Sequence, residues 1–149
     1  MRAVVQRVES AHVGVDGRTI GEISGGLLVY LGIGGDDDDA DFQYILQKVL
    51  GLRIFADERG YMNLSVKDIE GSILLVSQFT LYGDARKGKR PSFTDAMAPD
   101  KAEIVYESFI EAVRAQGVRC GHGEFGAMMK VSSVNDGPVT ILLDSKKQF

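Results

Sequence analysis

The sequence predicts an α+β fold on three observations. Strand-like runs outnumber helical ones, and two amphipathic helices suffice to cover one face of a sheet. No linker, repeat or low-complexity segment divides the 149 residues, so 1–149 reads as a single domain. Residues 2–9 (RAVVQRVE) and 12–15 (HVGV) carry β-branched side chains, and Asp16-Gly17 is a hairpin turn signal. Strands over 18–23 and 27–33 follow, parted by Ser24-Gly25-Gly26. The acidic run GGDDDDAD lacks the spacing of a calcium loop, so Asp38 or Asp39 is expected to cap a helix whose positive end the acids favour. That helix covers about residues 40–50 and puts Phe42, Ile45, Leu46 and Val49 on one face. LRIF (52–55) reads as a short strand and ADERGYMN as a turn. ILLVSQFTL (73–81) is the strongest strand signal, and RKGKRPSF (86–93) follows as a basic loop. Pro99 opens a second helix, which stacks Ala102, Val105, Tyr106, Phe109 and Val113 on one stripe and stops at Gly117. Strands over 118–121, 128–134 and 139–144 close the chain.

Composition excludes several classes. The net charge of −4 gives no global sign of nucleic-acid binding, although a local basic patch is compatible with it. One cysteine, Cys120, rules out an internal disulfide framework and reads as a small buried hydrophobe in a reducing compartment. The opening MRAVVQRVES lacks the apolar core of a signal peptide, and no run approaches the roughly 20 apolar residues of a membrane span. A cytoplasmic protein without membrane contact is expected. His12 and His122 have no metal-ligand spacing to Cys120 or to each other, so no metal and no cofactor are expected. There is no nucleophile elbow, and GIGG lacks the ending of a phosphate-binding loop.

Four segments carry candidate chemistry. In SQFTL the strand alternation puts Gln78 and Thr80 on one face, Ser77 and Phe79 on the other, so polar groups gather where a buried strand ends. They either satisfy backbone groups at a sheet edge or belong to a site. RKGKRPSF concentrates Arg86, Lys87, Lys89 and Arg90 within five residues, which is either a solvated loop or a seat for a phosphate backbone. GEFGAMMKV mixes glycine with soft apolar side chains, giving either a core strand after a tight turn or the wall of a pocket for a base. NDGPVT, Asn135–Thr140, places Gly137-Pro138 between two strand-like runs. It is either a plain turn or a backbone shape required for chemistry, since an X-Pro bond is the one place where a cis peptide costs little.

The order and wording of these segments resemble the D-aminoacyl-tRNA deacylase family across essentially the whole chain. MRAVVQRV, GLLVYLGI, LRIFADERGYMNLSV, VSQFTLYGD, KGKRPSF, the FGA segment and NDGPVT all match. One departure is visible: Met128 stands where the family usually has an acidic residue. The resemblance implies a barrel-like fold of antiparallel and mixed sheets with two main helices packed on one face. It implies hydrolysis of the ester of D-aminoacyl-tRNA, and of glycyl-tRNA to some extent, with the 2′-hydroxyl of the terminal ribose assisting. Ser77, Gln78, Phe79 and Thr80 are then the catalytic segment. The backbone N–H of Phe79 or Thr80 serves the oxyanion, and an older alternative makes Thr80 the nucleophile. Gly137 and Pro138, with Arg7 packed near them, form a cis Gly-Pro wall that reaches the partner subunit of a homodimer and rejects L-configured substrates. Asn135, Phe125, Gly126, Ala127 and Met129 bind the substrate, with the Phe125–Met129 segment helping to hold its adenine, and Arg86, Lys87, Lys89 and Arg90 meet tRNA phosphates. The rival readings are a relative with relaxed chirality acting on L-alanyl-tRNA, a nucleic-acid-binding module on the same scaffold, and a general esterase.

Overall fold

The first strand, β1 (Arg2–Val15), is long enough to meet three others along its length. It pairs antiparallel with β2 (Arg18–Ile23) through its second half and with β3 (Gly26–Gly32) through its first half. The Asp16-Gly17 turn joins β1 to β2 as expected. Beyond β3 the sheet continues in parallel with β6 (Ser72–Ser77) and then β7 (Arg119–His122). The far edge of β1 carries β8 (Lys130–Asp144). A computed structural model describes Met1–Phe149, and no helix in it is long and apolar enough to cross a membrane. The sheet curls until β2 lies against β7. Gly21 makes this closure possible, because a Cβ there would sit 2.3 Å from the His122 carbonyl oxygen. The result is a nearly closed, barrel-like mixed sheet.

Parallel neighbours need crossovers, and the two helices supply them. α1 (Asp39–Gly51) lies between β3 and β6, and α2 (Pro99–Ala115) between β6 and β7. Asp38 caps α1, with its side chain accepting from the Asp41 amide while the Asp41 carboxylate accepts from the Asp38 amide. Ile45, Leu46 and Val49 are buried beneath α1, and Ala102, Tyr106, Phe109 and Val113 beneath α2. They pack with Leu27, Val29, Leu31, Ile73 and Leu75 into the main core. The alternate residues Leu28, Leu74 and Val76 turn to the inside of the barrel, where they meet Val8, Ala11, Val13 and Ile23. Burial on both faces explains why β3 and β6 read as unbroken apolar runs.

Three expectations about elements are corrected. The strand at 52–55 is reduced to β4 (Phe55–Ala56), which pairs with β5 (Met62–Leu64) as a small separate hairpin. The strand at 73–81 stops at Ser77, because its parallel partner β3 ends at Gly32. Gln78 makes the last bond, donating its N–H to the Leu31 carbonyl at 2.8 Å, and Phe79–Tyr82 then winds into a 3₁₀-turn. The expected alternation of Ser77, Gln78, Phe79 and Thr80 across two faces therefore does not hold beyond Ser77. NDGPVT is neither a turn nor a break between strands, since β8 runs through it as a single element.

Candidate active site

A cavity of about 600 Å³ opens where β6 gives way to the 3₁₀-turn. Ser77, Gln78 and Phe79 line one side, and Phe125 through Met129 line another. Two segments singled out separately in the sequence thus share one apolar site. Its remaining wall comes from Phe93 and from Ala96 through Pro99 at the start of α2. Phe79 is 58% exposed and rests edge-to-face on Phe93 with ring centres 5.2 Å apart. Thr80 lies beside the cavity outside its lining, and its hydroxyl accepts a hydrogen bond from the Gln78 side-chain amide. The leading N–H groups of a 3₁₀-turn have no acceptor within it, and here these belong to Phe79 and Thr80. Met128 is 92% exposed at the rim.

Phe93 carries no site signal of its own in the sequence, where it trails a run dominated by charge. That run divides in two. Arg86 is held by Asp84 through two hydrogen bonds of 2.8 Å, and this pairing lowers the Asp84 carboxyl to about 2. Lys87, Lys89 and Arg90 are exposed and join none of the chain's ion pairs. Cys120 is buried, and burial pushes its thiol up to about 11, as suits a core residue. No three His, Cys, Asp or Glu side chains group as metal ligands.

Asn135, Gly137, Pro138 and Arg7 assemble elsewhere. Val8 pairs with Asn135 and Gln6 with Thr140, so Arg7 alone faces Asp136–Val139 and that stretch bulges out of the sheet. The Gly137–Pro138 peptide is cis, and both residues are exposed. Arg7 braces the bulge: its Nε lies 3.0 Å from Asp136 Oδ2, and its Nη1 donates to the Ile54 carbonyl at 2.6 Å. Asn135 Oδ1 accepts from the Val139 amide at 3.3 Å, and Thr140 Oγ1 accepts from Asn135 Nδ2 at 3.2 Å. The two ends of NDGPVT therefore satisfy the bulge's own polar groups. Arg7 is in register with Leu27, and Ser77 with Leu31. Four residues along and three strands across put the bulge on the order of 20 Å from the cavity in one chain.

The chain matches the family model described as D-Tyr-tRNA(Tyr) deacylase over residues 4–144. It is 60% identical over 149 residues to a D-aminoacyl-tRNA deacylase of Thermotoga petrophila, covering all of both chains. It is 56% identical, again over full length, to one of Clostridioides difficile. Among solved structures it superimposes on a c-Myc DNA unwinding element binding protein with a TM-score of 0.91 at 44% identity, covering 97% of this chain and 98% of that one. A probable eukaryotic D-amino acid tRNA deacylase shares the fold, with a TM-score of 0.80 at 22% identity over 95% of this chain and 97% of that one.

Proposed function

The chain belongs to the D-Tyr-tRNA(Tyr) deacylase family, and from that footing we propose a chiral proofreader that hydrolyses D-aminoacyl-tRNA by positioning and backbone stabilisation. The family and the full-length identities carry the activity itself, hydrolysis of a carboxylic ester. An aminoacyl ester is already activated, so catalysis needs little beyond placement and a donor for the oxyanion. The cavity has the shape for this. Its apolar wall of Phe125, Gly126, Ala127 and Met129 receives the terminal adenosine. The N–H groups of Phe79 and Thr80 stand at its edge as donors for the developing charge. No neighbouring base activates the Thr80 hydroxyl, whose partner is the Gln78 amide, so the 2′-hydroxyl of the substrate takes that assisting role.

Chirality is set by backbone. A pocket fitted to one D side chain rejects the others, whereas a rigid backbone wall excludes the L configuration whatever the side chain is. Gly137 and Pro138 supply that wall as a Gly-cisPro motif, with their carbonyl oxygens toward the substrate's α-amino group. Glycine offers no side chain to exclude, so glycyl-tRNA is also cleaved. The observation that carries the shared-site reading is the separation of bulge and cavity within one chain. The two meet on one substrate only if a second copy brings its bulge to the first copy's cavity, which makes the working unit a homodimer. β8 leaves one edge unpaired and exposes Val134 and Leu142, surface available for that pairing. Lys87, Lys89 and Arg90, with Arg86 beside them, meet the tRNA phosphates. Translation places the enzyme in the cytoplasm.

The test of the catalytic step is D-Tyr-tRNA whose terminal adenosine lacks its 2′-hydroxyl. Assistance by that group predicts hydrolysis slowed about 10²-fold or more at unchanged binding. Equal rates on both substrates would return the role to a protein side chain, with Thr80 first in line.

A further inference from the structure

The geometry points to Tyr106 as a positioning residue for ester hydrolysis, because its buried hydroxyl holds the backbone fork from which both walls of the cavity spring. This rests on the deacylase reading of the cavity. Tyr106 sits on α2, is 2% exposed, and donates from Oη to the Leu75 carbonyl at 2.8 Å. The Gly123 N–H donates to the same carbonyl at 3.0 Å. Leu75 and His122 form the last paired register between β6 and β7. Beyond it the strands part: β6 leads through Ser77 and Gln78 into the 3₁₀-turn, and β7 leads through Gly123 to Phe125. The hydroxyl thus closes the ladder where pairing fails, two residues before Ser77 on one arm and two before Phe125 on the other. Its ring also lies 5.9 Å from the Phe125 ring, so the same side chain props the cavity wall. Pro99 and Ala102, earlier on α2, line the cavity too, which leaves Tyr106 tying three of its walls together.

Burial pushes the phenol well above its usual range, so it remains a donor at working pH. With the hydroxyl gone, the Leu75 carbonyl keeps only the Gly123 N–H, and the two arms can splay. A shift of the Phe79 and Thr80 amides at the oxyanion lowers turnover while leaving the tRNA contacts of the basic loop in place.

The experiment compares wild type, Tyr106→Phe and Phe109→Leu as full chains on D-Tyr-tRNA. Phe109 is fully buried one turn along on the α1 side of α2, packed against Phe42 at 5.2 Å and away from the cavity. Tyr106→Phe is expected to lower kcat about tenfold with KM within about twofold. Phe109→Leu is expected to lower the thermal midpoint at least as far as Tyr106→Phe does, with kcat unchanged. Unchanged kcat in Tyr106→Phe would overturn the assignment, as would an equal loss in Phe109→Leu, which would mean general loosening. A wild type inactive on D-Tyr-tRNA would instead overturn the deacylase reading and the assignment with it.

Discussion

At Gly137 a single methyl group would crowd Arg7 and strain the backbone. The residue holds φ at +117°, and a Cβ would stand 2.8 Å from Arg7 Nη2 and 3.0 Å from Val139 Cγ2. Gly137→Ala must displace the guanidinium that braces the bulge. We predict a stability loss of about 1–3 kcal/mol and a fall of about 10²-fold in D-Tyr-tRNA hydrolysis, read from thermal melts and initial rates. Full activity with an unchanged melt would contradict the role given to the bulge. At this scale the sequence was legible in part: Ser77, Gln78, Phe79 and the 125–129 segment, singled out separately, share the cavity. It was illegible where a residue reaches the cavity only through packing. Phe93 stood behind four cations, and Tyr106 looked like any other member of a helical stripe.

The helix cap offers a clean test at the level of elements. Asp41 is 6% exposed, and burial alone would raise its carboxyl. Hydrogen bonds from Lys146 at 2.7 Å, from Ser145 and from the Asp38 amide outweigh that and hold it well below 3.8. The folded value is the lower one, so the carboxylate's contribution is full above about pH 4 and is lost as pH falls below it. Asp41→Asn is therefore expected to cost about 1–2 kcal/mol at pH 7, with the gap to wild type closing in acid, measured as urea midpoints. A gap that stays constant to pH 2 would show that shape, not charge, matters there. Element boundaries failed where local pattern and partner disagreed. The apolar pattern of 73–81 continues past Ser77, but β3 has already ended at Gly32 and offers nothing to pair with. Proline and glycine in NDGPVT read locally as a turn, yet β1 holds the chain on both sides and absorbs the extra residues as a bulge. Both helices, by contrast, stood out: α1 through its Asp38 cap and periodicity, α2 through Pro99 in its first turn, its periodicity and Gly117 just past its end.

For the whole molecule, barrel closure was beyond composition and periodicity, because it depends on contacts between β2 and β7, which lie far apart in sequence. The resemblance to known deacylases supplied the barrel, and the Gly21–His122 approach accounts for it physically. In the proposed mode the acidic chain meets its polyanionic substrate through the basic loop, so Lys87→Glu with Arg90→Glu is predicted to weaken tRNA binding. The slope of log affinity against log salt should shrink by about 2, one contact for each lost cation; unchanged affinity at low salt would remove the loop from the interface. The central claim is that a backbone wall, shared between two copies, separates D from L. It is tested most directly by deacylation of D-Tyr-tRNA against L-Tyr-tRNA with EDTA present. The account predicts rapid loss of the D ester alone. Loss of both esters, or of neither while tRNA remains bound, would contradict it.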